Sequence, residues 1–264
     1  MKTWHNMRMR NKKQLWLAIG GFILIQIFYF GFDTVQLNKE GTVGADGEVT
    51  AEHAWDDHLD EALASLNEED RTMVETLMDQ ADENEVITLK QLASFWVSRS
   101  EWELGGHYLE VIAGLSSTAE DIVSAARTYA TGAQQEKDAS HRTIFRRKAL
   151  SLYDQVIAME NDPFQVELEK VLFMIKVPDD ENPMLGVLSL VELSKNYPQE
   201  PEVFVHLGKF SIQTGQWDKA RERLEQAYEL NPENKETICL LSTVYKEVGE
   251  SEQSARFSQL CENK

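Results

Sequence analysis

Proline, cysteine and positive charge are all scarce in this chain, and each shortage removes a class of protein. Six prolines in 264 residues leave long stretches with nothing to interrupt a helix. Long runs of β-branched residues are absent, so strands are not expected, and a glycine-rich phosphate loop, which follows a strand, has nowhere to sit. Lys and Arg number 26 against 45 Asp and Glu. Residues 1–13 hold five of those cations (Lys2, Arg8, Arg10, Lys12 and Lys13) and no acid, which leaves 21 against 45, a formal −24, for everything after them. A body so acidic repels phosphate backbones, and nucleic acid is excluded as a partner.

Catalytic and metal-binding patterns are missing too. The stretch GADGE lacks the ligand spacing of a calcium loop. In HAWDDH, His53 and His58 stand five residues apart and point to different faces of a helix, so no metal site is expected there. His107, His141 and His206 are isolated in sequence, and no Ser, Cys or acid pair comes with an orienting partner. Neither enzymatic activity nor a cofactor is expected. The alternative, an envelope enzyme or metal-binding protein, requires the fold to gather distant residues, for example those three histidines around one pocket.

What the chain does have is one long apolar run. QLWLAIGGFILIQIFYFGF, Gln14 to Phe32, is uncharged for 19 positions, roughly a bilayer's hydrocarbon thickness at 1.5 Å per residue. Trp16 lies near one end and Tyr29, Phe30 and Phe32 near the other, where aromatic rings favour the headgroup layer. A core helix rarely runs so long without charge. A cleaved signal peptide would share the charged start, but this run ends in bulky aromatics and DTVQLNKEG, with no small-x-small site directly after it. The expectation is an uncleaved single-pass anchor with the basic tail, residues 1–13, in the cytoplasm and the acidic body on the far side. Residues 33–50, with three glycines and no periodicity, read as a flexible linker.

From Ala51 onward the periodicity is helical, and 42% hydrophobic residues suffice for a core. Residues 51–85 form an acidic helical segment of two short amphipathic helices, the second capped by Asn67 with Glu68, Glu69 and Asp70 at its positive end. Farther along, LGKFSIQTGQWDKARERLEQAYELNP sits in a 34-residue unit that starts at Pro201. Phe204, Leu207, Gly208, Gly215, Trp217, Ala220, Leu224, Ala227 and Pro232 fall at offsets 4, 7, 8, 15, 17, 20, 24, 27 and 32. This resembles the tetratricopeptide repeat (TPR) family, whose pattern has large residues at 4, 7, 11, 17 and 24, small ones at 8, 20 and 27, and proline at 32. Ser211, at offset 11 where an aromatic is usual, departs from it.

The template recurs. A unit from Lys235 keeps Ile238, Leu241, Tyr245 and Gly249, and one from Val86 keeps Leu92, Ala93, Trp96, Trp102, Gly105, Leu109 and Ile112. A unit from about Ala119 keeps Ala125, Ala126 and Tyr129, then resumes at Ala149, Tyr153 and Val156 after an insertion near GAQQEKDASHR. A weaker hairpin begins at Phe164. The fold class expected is therefore all-α, a TPR-like helical-hairpin solenoid over residues 86–264 after one transmembrane helix, with 201–234 and 235–264 the best repeats. Small residues at offsets 8 and 20 should mark the closest helix crossing, and Gly215 should end its helix in a left-handed conformation.

The resemblance implies a peptide groove lined by offsets 2, 5, 9, 12 and 13 of each first helix. These are Glu202, Val205, Lys209, Ile212 and Gln213 in the best unit, Glu236, Cys239, Thr243, Lys246 and Glu247 in the last, and Ile87, Lys90, Ser94, Val97 and Ser98 in the first. The basic and Asn set with which chaperone-binding TPR proteins clamp a C-terminal carboxylate is missing. The implied role is a membrane-anchored scaffold or adaptor for a protein or peptide partner, in the bacterial periplasm if the host is bacterial. Its architecture looks like that of anchored periplasmic TPR subunits of cytochrome c maturation and secretion. A second expectation is a homo-oligomer built through an uncapped C-terminal end. Opposing offsets 8 and 20 sets Cys261 about four residues, or roughly 6 Å, beyond the position facing Cys239. Ordinary buried thiols are then expected rather than a disulfide.

Overall fold

The computed structural model describes residues 51–81 and 86–263. The expected tail (1–13), anchor (14–32) and linker (33–50) lie outside the described residues. Among the described residues every regular element is an α-helix, and no helix is long and apolar enough to cross a membrane. Two units are distinguished, divided between Leu66 and Asn67. In the first, α1 (Ala51–Ser65) ends with the Ser65 hydroxyl donating to the Ala62 carbonyl at 2.6 Å.

The second unit opens with α2 (Glu68–Gln80), so the acidic segment 51–85 is shared between the units. Asn67 caps α2 as expected, its side chain accepting from the Asp70 amide at 2.9 Å. Five hairpins follow: α3 (Val86–Ser98) with α4 (Trp102–Ser116), α5 (Ala119–Gln135) with α6 (Ala139–Met159), and α7 (Phe164–Lys176) with α8 (Leu185–Asn196). They continue with α9 (Pro201–Gln213) and α10 (Trp217–Leu230), then α11 (Lys235–Glu247) and α12 (Ser251–Glu262). Each hairpin packs on the next, and the buried side chains form clusters that run across hairpin boundaries, as where Phe164, Leu190, Val203 and Ala227 meet.

One turn geometry recurs at offset 15. Gly215 (φ 68°) and Gly249 (φ 83°) are left-handed, and in the first hairpin Ser100 (φ 64°) takes the same place. In each, the next amide reaches back to the offset-11 carbonyl: Gln216 to Ser211 at 2.8 Å, Glu250 to Tyr245 at 2.8 Å and Glu101 to Trp96 at 3.1 Å. That bond, with a second from offset 15 to offset 12, is the Schellman closure of a helix end. Glycine takes the conformation without strain, whereas Ser100 holds it against its own Cβ.

Small residues set the crossings, though not always against each other. A Cβ on Gly105 would lie 2.5 Å from the Val97 side chain and 3.4 Å from the Ala93 carbonyl, the expected meeting of offsets 20 and 8. At Gly208 the obstruction is instead the Leu224 side chain, 2.6 Å from an added Cβ. In the weakly patterned hairpin Gly186 abuts the backbone of Met174 and Ile175, both 2.7 Å from such a Cβ, so α7 and α8 touch main chain to main chain.

The insertion near GAQQEKDASHR is not a loop. It is absorbed as extra helical turns: α5 has 17 residues against 13 in α9 and α6 has 21 against 14 in α10, an excess of four and seven. Arg146 ties this longer hairpin to the long α7–α8 connection, donating to the Val177 carbonyl at 3.1 Å and to Asp179 at 2.9 Å.

The expectation of free thiols is overturned. Cys239 and Cys261 form a disulfide, with Cα atoms 5.1 Å apart. The register assumed from offsets 8 and 20 was too short: the Ser242 hydroxyl sits not only within reach of the Ser254 carbonyl, at 3.4 Å, but 2.6 Å from the hydroxyl of Ser258, one turn on. Opposing 242 with 258 brings 239 opposite 261. Nor is the C-terminal end an apolar surface, because α12 buries Phe257 and exposes Ser251, Glu252, Arg256, Gln259 and Glu262. Its outer face does the work of a polar cap.

Candidate functional site

The first helices of successive hairpins lie side by side, and each neighbouring pair is joined across its polar face. Lys90 of α3 reaches Asp121 of α5 at 3.7 Å, and Arg127 of α5 grips Glu169 of α7 through two bonds of 2.7 Å. Gln165 of α7 donates to Glu202 of α9 at 3.4 Å, and Lys209 of α9 pairs with Glu236 of α11 at 2.5 Å. Burial pushes the Glu169 carboxyl up, but hydrogen bonds from Arg127 and Tyr153 outweigh it and hold the group below the ordinary range.

This arrangement decides the fate of the sequence-derived groove. Glu202 and Lys209 are engaged in the joints just described. Val205 is a correction: it is 4% exposed, packed in the core cluster with Val203 and Leu190, and presents nothing to a ligand. The spacing template places offset 5 on the open face, but here the neighbouring hairpin covers it. Ile212 is half-buried against the α11–α12 cluster, and Gln213 is exposed. Thr243, Lys246 and Glu247 are exposed, with the Thr243 hydroxyl donating to the Cys239 carbonyl at 3.3 Å, and Cys239 itself is in the disulfide.

The first hairpin differs. Ile87 is 71% exposed, and with Lys90, Gln91, Ser94, Phe95 and Ser98 it forms one wall of a groove whose other wall is Met73 and Leu77 of α2. The groove holds about 610 Å³. Met73 is 43% exposed. At the far end, Arg99 pairs with Asp70 at 2.6 Å and lies 3.7 Å over the Phe95 ring, joining the start of α2 to the end of α3. Sequence reading supplied Ile87, Lys90, Ser94 and Ser98; it missed Met73 and Leu77 because they precede the first repeat and no template reached them.

Ser211 has its own explanation. At offset 11 the other well-matched units bury an aromatic, Trp96, Tyr129 or Tyr245. In the α9–α10 hairpin Arg223 enters that space, donating to the Ser211 hydroxyl at 2.5 Å and the Leu207 carbonyl at 3.1 Å, while Ser211 donates to Leu207 at 2.9 Å. Where tyrosine is kept its hydroxyl is also bonded, Tyr129 to Glu110 at 2.9 Å and Tyr245 to Glu225 at 2.6 Å. Both phenols are pushed up, by burial first and then by those carboxylates.

The three histidines are not gathered into one pocket. His107 neighbours Glu110, Lys148 and Glu103, His206 neighbours Lys209, Glu236 and Glu202, and His141 lies 3.9 Å from Asp138. Burial, the largest influence on each, holds His107 and His206 below the ordinary histidine range. Among the described residues no group of three His, Cys, Asp or Glu is placed to hold a metal ion.

Antiparallel hairpins, a repeated Schellman closure, small residues at the crossings and buried aromatics at a fixed offset leave one description. Residues 86–262 are a stack of TPR-like hairpins. No protein-family model matches it, and no curated protein does. Among solved structures, MamA residues 41 to the end from Desulfovibrio magneticus RS-1 is similar at 15% identity and a TM-score of 0.45, over 69% of this chain and 95% of that one. Pseudomonas aeruginosa PilF is similar at 18% identity and a TM-score of 0.45, over 67% and 75%. With scores under 0.5 these likenesses carry no weight of their own, and the description rests on the turns, crossings and packing.

Proposed function

We propose that the protein is a membrane-anchored adaptor that holds a protein partner outside the cytoplasm. The observation that carries the adaptor role is the groove between α2 and α3, an apolar surface that leaves Ile87 and Met73 exposed. Placement outside the cytoplasm is supported by the basic tail and apolar segment of the sequence, and by a disulfide, which persists in oxidising compartments. The role asks no chemistry of the body.

The test is cross-linking in intact membranes followed by purification of the full chain, with its thiols trapped at lysis. The adaptor reading expects one specific protein to be cross-linked and Cys239 and Cys261 to be recovered oxidised. Recovery of no specific protein would refute the adaptor role, and recovery of free thiols would refute the location.

A further inference from the structure

The groove between α2 and α3 is open, and its surroundings have a charge. Met73 and Leu77 form a ridge on α2, with Ile87, Ser94 and Phe95 on one side and Thr72, Thr76, Glu68 and Glu69 on the other. Along α3 the wall runs from Ile87 to Ser98, eleven helical steps or about 16 Å at 1.5 Å each, three turns of a facing helix. Its cations are already committed, Lys90 to Asp121 and Arg99 to Asp70. Glu68 and Glu69 are exposed, and neither carboxylate has an ion-pair partner among the described residues. Their place in the first turn of α2 favours that helix whatever else they do, yet they also leave negative charge just beyond the Met73–Leu77 ridge that bounds the groove.

We propose that this groove binds a basic amphipathic helix of a partner protein, its apolar stripe lying against Met73, Leu77 and Ile87 and its Lys or Arg flank reaching over the Met73–Leu77 ridge to Glu68 and Glu69. The proposal rests on the adaptor reading and names the chemistry of what that adaptor holds. An apolar stripe at i, i+3, i+4 and i+7 matches a groove three turns long. Charge selects the flank, because Lys or Arg there finds open carboxylates while Glu or Asp meets like charge. Ser94, Ser98 and Gln91 on the α3 side supply a polar rim that a helix of either charge would satisfy, so they do not decide between them.

The experiment measures binding of a labelled synthetic helix to the full chain in lipid nanodiscs by fluorescence anisotropy. The probe is ~18 residues, with leucines at helical stripe spacing and Lys flanks, beside a copy with Glu flanks. The Lys peptide should bind about tenfold more tightly than the Glu peptide and weaken as salt rises. Ile87→Glu with Met73→Glu should weaken it at least about tenfold. Both side chains are exposed, so the fold should survive, and circular dichroism checks that. Glu68→Gln with Glu69→Gln should lower affinity for the Lys peptide and flatten its salt dependence, and Leu188→Glu, on α8, should leave it unchanged. Equal binding of the two peptides, or of the Ile87→Glu, Met73→Glu chain, would overturn the proposal. So would a dimer of the full chain that Ile87→Glu dissolves, since a second copy would then occupy the groove. If membrane cross-linking yields a partner that the Ile87→Glu, Met73→Glu chain retains, the adaptor reading stands and the groove assignment alone fails.

Discussion

Reducing the Cys239–Cys261 bond should loosen the last hairpin and little else. The bond joins residues 22 apart, spanning most of α11 and α12. For a loop of that length the chain-entropy relation gives about 3 kcal/mol of stabilisation at 25 °C. In a stacked array each hairpin answers chiefly to its neighbours, so the loss should stay local. Packing remains after reduction, since Ile238, Leu241, Val244, Tyr245 and Phe257 form their own cluster with Ala220 and Leu224 of α10. The hairpin should therefore stay folded but open more often. Hydrogen exchange followed by mass spectrometry, with reduction verified on the intact chain, reads this directly. Amides of α11 and α12 should exchange up to about 100-fold faster, following from about 3 kcal/mol, while those of α3 to α6 hold their rates. A Cys239→Ser, Cys261→Ser chain should match the reduced protein. Unchanged exchange in α11 and α12, or an equal rise in every hairpin, would refute the reasoning, the first by removing the staple's effect and the second by removing its locality.

Ser100→Gly should stabilise the protein by about 0.5–1 kcal/mol in urea titration, because it relieves a left-handed serine at a place where two other hairpins use glycine. Gly208→Leu should destabilise it by about 1–3 kcal/mol or more, since even a Cβ there overlaps Leu224. Arg223→Met should cost about 1–3 kcal/mol by stripping the Leu207 carbonyl and Ser211 hydroxyl of a buried donor, and Ser211→Ala less, since Leu207 keeps Arg223. The Glu169 carboxyl is held below its unfolded value near 4.3, so its contribution is fully present above that pH and is lost as pH falls through the folded value. Glu169→Gln should flatten that part of the stability profile below about pH 4, read by thermal melts across an acid series.

Local signals in the sequence were strong where one residue decides one geometry. Asn67 as a cap and Gly215 as a helix end follow from side-chain reach and from the freedom of a residue without Cβ. Signals failed where the answer depended on how far two helices slide past each other. A single turn of slide separates thiols out of reach from a disulfide, and nothing at offsets 8 and 20 of the last hairpin, Ser242 and Ser254, fixes it. Val205 failed for a related reason: a template made for one hairpin cannot say what the neighbouring one covers. The Arg223–Ser211 exchange left only a negative trace, a missing aromatic, because its replacement comes from the opposite helix twelve residues on. The site was half legible, Ile87, Lys90, Ser94 and Ser98 by spacing, while Met73 and Leu77 belong to a helix outside the repeat.

The long α5–α6 hairpin bears on how such a chain can be rearranged. Arrays of uniform hairpins can in principle be shuffled, shortened or extended, since every junction offers the same surface. Here the extra turns meet the segment after α7, where Arg146 engages Val177 and Asp179 and where Arg142 and Glu136 line a recess with Pro178 and Asp180. That connection is itself longer than its counterparts, so the overhang and the loop that backs it are matched to each other and to no other pair in the described chain. The second hairpin is thus keyed to the third. A chain assembled with those two in another order would leave a guanidinium and a carbonyl facing the wrong neighbours, so the array, though built from repeats, holds at least these two parts in a fixed order.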